Sequence, residues 1–264
     1  MPQGQVIKSV RRAVAVLRSF SLEEPELSVT YLSRQLDVHK STISRLLATL
    51  EAERLVERNH ETGRYRLGIG LIELAGLVTL HADLRRLARP LLRQLATQTQ
   101  ETAALAVRDV DEVINIEQAA PYDRRVLNIG WVGRRTPLHA SSTGKVLLAY
   151  LPEEKVEPLL GRSLTRFTEH TVVKVQTLRE ELALVRQRGY ATGLEELEIG
   201  LNAVAAPVRD HAGRVVAAVS VAGPSYRFSR QRIEDEAAGQ VITCANQISR
   251  VLGFAGKEEI EEGE

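Results

Sequence analysis

Lys40, Ser41, Thr42, Ser44 and Arg45 place two cations and three hydroxyls within six consecutive residues. Hydroxyls bond to base edges or phosphate oxygens, and an arginine pairs bidentately with guanine. A lysine beside free backbone N–H groups holds phosphate. At about 100° per residue, Ser41, Arg45, Ala48 and Ala52 share one helix face, flanked by Thr42 and Ser44. Ile43, Leu46, Leu47 and Leu50 fall on the opposite side. Small residues on the first face allow close approach to a groove. A solvated surface helix would use the same residues, so the helix alone does not choose. Further on, Arg64 and Arg66 project from one side of a short strand, with Tyr65 and Leu67 on the other. That is the layout of a wing gripping flanking backbone or minor groove.

A second constellation is Ser141-Ser142-Thr143-Gly144, which opens a helix after the segment Trp131–His139, home of the single tryptophan. Free N–H groups at a helix start, beside the Ser142 and Thr143 hydroxyls, suit a carboxylate or another anion. A capped core helix, with Gly144 for close packing, would use these residues equally well. His139 is placed either to line such a site or to make a structural hydrogen bond.

Covalent and metal chemistry find little support. Ser142 and Lys145 match an S-x-x-K pattern, but the accompanying S-D-N and K-T-G patterns are absent. Gly144-Lys145 lacks the leading glycine of a phosphate loop, because position 139 is histidine. The six histidines are scattered, with no metal-ligand spacing to Cys244 or one another. No enzyme activity, metal or cofactor is expected. Cys244 lies on the apolar side of the last helix and reads as a core thiol.

Periodicity gives the elements that hold these residues. Val10, Ala13, Val14 and Leu17 give a helix over Ser9–Phe20, and Pro25 breaks the pattern after it. Ser28 stands as the N-cap of a short helix that turns Val29, Leu32 and Leu36 inward. Asp37-Val38-His39-Lys40 makes a tight turn into the long helix, which reaches about Arg54. Leu55–Arg58 and Arg64–Leu67 form a hairpin around a loop ending in Gly63. Helices and hairpin in this order make a winged helix-turn-helix, and that order favours DNA contact by the hydroxyl-and-arginine face. The expected contact set is Arg12, Ser28, Lys40, Ser41, Thr42, Ser44, Arg45 and Arg64; Arg11 and Arg12 reach either phosphate or solvent.

A linker helix runs over Ile69–His81, its Leu71, Leu74, Ala75 and Val78 stripe suited to pairing between subunits. A further helix spans Asp83–Gln98, with a kink expected at Pro90. Beyond Glu101 the texture turns to strands (Thr102–Arg108, Glu112–Gln118, Arg125–Ile129, Ala203–Val208, Arg214–Val221) and helices (Ser142–Tyr150, Val175–Arg188, Arg230–Leu252 capped by Ser229). Asp210–Gly213 is a hairpin turn. The fold class is therefore α+β, a mostly antiparallel sheet with packed helices behind the winged head. The expected boundaries are a head at 1–68, a linker helix at 69–82, a body at 83–256 and an acidic, disordered tail at 257–264.

Composition is compatible with this plan. A chain of 264 residues, 44% hydrophobic and 26% charged, can bury two ordinary cores. Residues 1–68 hold 11 Lys and Arg against 8 Asp and Glu, while the rest hold 24 against 26, so a mildly basic head sits on a near-neutral body. One cysteine excludes an intrachain disulfide, and no apolar run approaches the roughly 18 residues of a membrane span. With no apolar leader at the N-terminus, a cytoplasmic location without membrane association is expected.

The motifs SVRRAVAVLRSF, ELSVTYLSRQLDVHKSTISRLLATLEAERLVERNHETGRYRLG, PLHASSTGKVLLA, RGYATG and VAAPVRDHAGRVVAAVSVAGP resemble the IclR family of bacterial transcriptional regulators. The resemblance runs from about Gln5 to Phe254. It implies a winged-helix head, a linker helix and a GAF-like effector-binding domain, with dimers often paired into tetramers on promoters of catabolic or metabolic genes. Carried over residue by residue, it points to Ser142, Thr143, Gly193, Ala203, Ser220 and Ala222 as the effector site. Gly193 stands where an acidic residue is common in the family, Ala203 where cysteine is common, and Ala222 where serine can occur. A roomier, less polar pocket is expected, for an organic or aromatic acid larger than a two-carbon one. The alternative is a constitutive DNA-binding protein whose C-terminal domain only oligomerises.

Overall fold

The computed structural model describes residues 7–21, 24–76, 82–121, 132–161 and 163–255. The chain divides into two compact units, Met1–Ala82 and Asp83–Glu264. The expected strand Arg125–Ile129, the end of the linker helix and the acidic tail lie outside the described residues.

In the first unit, α1 (Lys8–Arg18), α2 (Val29–Gln35) and α3 (Lys40–Ala52) precede a hairpin of β1 (Val56–Arg58) and β2 (Tyr65–Leu67), followed by α4 (Gly70–Gly76). Helices α2 and α3 both have side-chain caps. The Ser28 hydroxyl accepts from the Tyr31 N–H at 3.2 Å, and His39 Nδ1 accepts from Ser41 N–H at 3.3 Å. Asp37 takes a left-handed φ of 51° between α2 and α3, where an aspartate is tolerated in a tight turn. Val16, Leu32, Ile43, Leu47 and Val56 are buried together, so the leucine side of α3 anchors the unit. Leu27 and Tyr65 exchange backbone hydrogen bonds at 2.9 Å, which ties the approach to α2 onto the hairpin. Glu26 accepts from Asn59 Nδ2 at 2.8 Å and Thr62 Oγ1 at 3.1 Å, so the hairpin loop is held from the same side.

The second unit contains a six-stranded antiparallel sheet in the order β5-β4-β3-β8-β7-β6. Its strands are β3 (Thr102–Asp109), β4 (Glu112–Ala119), β5 (Arg135–Pro137), β6 (Ala191–Leu194), β7 (Leu201–Arg209) and β8 (Val215–Pro224). Side chains alternate across each strand. Leu105, Val107, Val204, Val208, Val219 and Val221 pack with Leu92 and Leu95 of α5 (Ala82–Thr99) and Val241 and Ile248 of α10 (Ala238–Val251). On the other face Ala106, Ala205 and Ala218 pack with α6 (Ser142–Ala149), α7 (Glu153–Leu160) and α8 (Val175–Arg188). Helix α5 continues through Pro90. The closing helix departs from the expected single α-helix: α9 (Arg230–Arg232), capped by Ser229, passes through a π-helical turn at Ile233–Ala237 before α10. β5, β6 and α7 have no counterpart among the expected elements, the two strands being only three and four residues long.

The sheet curls. β5 and β6 are its opposite edges, and five flat strand spacings would separate them by roughly 24 Å. Yet Thr136 Oγ1 of β5 lies 3.5 Å from Ser141 Oγ, and a Cβ on Gly193 of β6 would lie 3.3 Å from Ser142 N. Both edges thus meet the start of α6, and a concavity is left between that helix end and the strands.

Candidate functional site

Two constellations stand out. On α3, Lys40, Ser41, Ser44 and Arg45 are exposed and Thr42 is half-buried. Among the described residues, Arg12, Lys40, Arg45 and Arg64 form no ion pair, so four cations of the first unit are uncommitted. Arg66 differs, because it pairs with Glu57 directly across the hairpin. Two of the expected hydroxyls already have partners. Ser28 caps α2, and the Ser41 hydroxyl lies 2.7 Å from His39 Nδ1. Side-chain hydrogen bonds from Asn59 and Thr62 hold the Glu26 carboxyl below the usual carboxylate range, keeping a negative charge beside the wing arginines.

In the second unit, the six residues expected around an effector, Ser142, Thr143, Gly193, Ala203, Ser220 and Ala222, all line one cavity. Thr102, Ala104, Asn115, Thr136, Ala140, Ser141, Leu197 and Leu201 complete its wall. Strand register explains the grouping. Thr102 pairs with Ala222, Ala222 with Ala203, and Ala203 with Gly193, forming one row across β3, β8, β7 and β6. Small side chains along that row leave space above the sheet, about 50 Å³, room for on the order of four waters. A neighbouring row contributes Ala104 and Ser220, themselves paired.

The start of α6 supplies polarity. Ser141 is its N-cap, accepting from Gly144 N–H at 3.1 Å and donating to Pro137 O at 2.8 Å. A Cβ on Gly144 would lie 2.3 Å from Leu138 O, so only glycine lets the first turn pack this closely. Ser142 and Thr143 are buried, and among the described residues their hydroxyls and N–H groups have no hydrogen-bond partner. Two amides at the positive end of a helix, with two hydroxyls, can hold one carboxylate.

Lys145, Glu196, His139 and Cys244 serve the structure. Lys145 is 2% exposed, its Nζ 2.6 Å from Glu196 Oε1 and 2.7 Å from Glu181 Oε2, so its ammonium is committed to carboxylates. Burial pushes the Glu196 carboxyl up despite the Lys145 charge. His139 does not line the cavity; its Nε2 lies 2.9 Å from Thr165 O. Cys244 is buried among α10 core residues, and burial pushes its thiol up to about 12. Among the described residues no His, Cys, Asp and Glu cluster could hold a metal ion, and no helix is long and apolar enough to cross a membrane.

Residues missed by sequence reasoning are Thr102, Ala104, Asn115, Thr136, Ala140, Leu197 and Leu201. The pairing of β3 with β8 would have found the first two, since they sit opposite Ala222 and Ser220. Thr136 reaches the site from five residues before Ser141, and Asn115 through its backbone pairing with Gly133 and Arg134.

Similar proteins give these sites a context. Residues 9–60 match the IclR helix-turn-helix domain, and residues 77–250 match the bacterial transcriptional regulator IclR C-terminal domain. The Escherichia coli K12 regulator XynR is 35% identical over 256 residues, covering 94% of this chain and 98% of its own. KdgR of the same strain is 34% identical over 254 residues, with 96% and 95% covered, and the repressor AllR is 33% identical over 249, with 94% and 91% covered. A Microbacterium hydrocarbonoxydans IclR homologue, solved in complex with 4-hydroxybenzoate, superposes with a TM-score of 0.81 at 28% identity, covering 93% of this chain and 99% of that one. The Thermotoga maritima IclR superposes with a TM-score of 0.76 at 29% identity, with 93% and 99% covered. Both domains are matched, and the relatives are named as regulators and not as enzymes; this chain belongs to the IclR family of transcriptional regulators.

Proposed function

We propose that this regulator binds a pseudo-palindromic operator as a dimer or tetramer and changes its affinity when an organic acid occupies the cavity of the second unit. The observation carrying the reading is the start of α6, where unpartnered amides and hydroxyls of Ser142 and Thr143 open on a cavity floored by Ala203, Ala222 and Gly193. The carboxylate sits on those amides, and the rest of the acid lies over the small row. The ligand class is an organic acid; the apolar floor and the 4-hydroxybenzoate in the Microbacterium relative bring aromatic acids into it, for which the wall must open beyond its present volume. In the head, Ser41–Arg45 enters a major groove, Arg64 and Arg12 hold flanking phosphates, and two heads address half-sites about 34 Å apart. The genes controlled belong to a catabolic or metabolic set.

A thermal-shift screen of aromatic and small aliphatic acids tests the sensor. A true effector at 100 times its Kd stabilises the chain by about 2.7 kcal/mol, and Ala203→Leu, which fills the floor, abolishes the shift. A panel that leaves the melting temperature unchanged, or a shift that survives in Ala203→Leu, overturns the cavity as the site.

A further inference from the structure

The cavity wall has a second polar element that the helix-terminus site does not use. Asn115, on β4, is 5% exposed and lines the cavity. Its backbone is fully engaged with the β5 approach, N–H to Arg134 O at 3.2 Å and O from Gly133 N–H at 2.7 Å, so the strand holds the side chain in place. Its carboxamide forms no hydrogen bond with any described residue. A buried carboxamide normally finds partners. The orphaned Asn202 Oδ1 is sealed in the core, whereas neither polar atom of Asn115 is sealed in that way. Thr102 and Thr136 also line the cavity, on the strands that flank β4.

We propose that Asn115 is a specificity-determining residue that reads a second, neutral polar group on the effector, so the ligand class is a monocarboxylic acid carrying a hydroxyl or carbonyl. This rests on the cavity being the effector site. A carboxamide both donates and accepts, so it satisfies a hydroxyl or a carbonyl equally. Among the described residues no Lys, Arg or His lines the cavity, and the nearby Lys145 is spent on two carboxylates. A second carboxylate on the ligand would therefore be buried without a counter-charge. A plain acid would leave Asn115 unpartnered.

Matched pairs test this on the full chain by calorimetry: benzoate against 3- and 4-hydroxybenzoate, and propionate against lactate and pyruvate. In the native protein at least one hydroxy or keto acid binds about tenfold or more tighter than its plain counterpart, the scale of one buried hydrogen bond. Asn115→Leu, close in volume, loses the preference, so the two members of a pair bind it with similar affinity; Asn115→Ser retains part of the preference. Equal affinity for both members of every pair in the native protein overturns the proposal while leaving the cavity reading intact, and so does a preference unchanged in Asn115→Leu. Binding that ignores both Asn115→Leu and Ala203→Leu places the ligand elsewhere and overturns both.

Discussion

A side chain's type says what it can bond, and its neighbours decide whether it is free to do so. A helical wheel puts Ser41 and Arg45 on one expected DNA-contact face, yet of the two only Arg45 is uncommitted, because His39 Nδ1 holds the Ser41 hydroxyl. That pairing joins residues two apart across a cap, and no periodicity reveals it. Arg45→Ala is expected to cost about 1–3 kcal/mol on a preferred operator and to blur base preference, whereas Lys40→Ala weakens all sequences alike and flattens the salt dependence by about one phosphate contact. Gel shifts with operator and scrambled duplexes across a salt series measure both. Unchanged binding in the two variants would remove α3 as the reading element.

Elements differ in how plainly the chain announces them. Apolar residues at helical spacing marked α2 and α3, and the turn at Asp210–Gly213 marked the hairpin of β7 and β8. β5 and β6 were invisible because three or four residues cannot display a period, and their strand character comes from pairing with β4 and β7. The start of α6 is the element on which the site depends. Gly144→Ala would drive a Cβ into Leu138 backbone atoms and is expected to cost about 3 kcal/mol, the upper end for overpacking. A native-like melting temperature for that variant contradicts the packing. Farther along α6, Lys145 joins α8 and the segment after β6 through Glu181 and Glu196. Because burial raises the Glu196 carboxyl, the folded chain holds that proton more tightly than the unfolded one, and stability falls as pH rises from the ordinary carboxylate range toward the raised value. Glu196→Gln lacks this titration, so in denaturant unfolding the difference from the native chain shifts in the variant's favour across that window. A difference constant with pH would contradict the direction given.

At the scale of the whole molecule, charge and architecture separate the two tasks. The head carries the cationic excess, while the body encloses a cavity with no cation on its described wall. Membership of the family was legible from the ordered motifs, but the curl that gathers Thr136, Ser142 and Gly193 around one space was not. It depends on the approach of β6 to the start of α6, where Gly193 meets Ser142 from far along the chain, and no local pattern encodes that meeting. Coupling between the units is the central claim. An operator selected from random duplexes, titrated by fluorescence anisotropy with and without the acid that most stabilises the chain, measures it directly. The expected result is a five- to 150-fold change in affinity, about 1–3 kcal/mol of coupling, absent in Ala203→Leu. An acid that binds the cavity yet leaves operator affinity unchanged would contradict it, and the body would then serve only to assemble the heads.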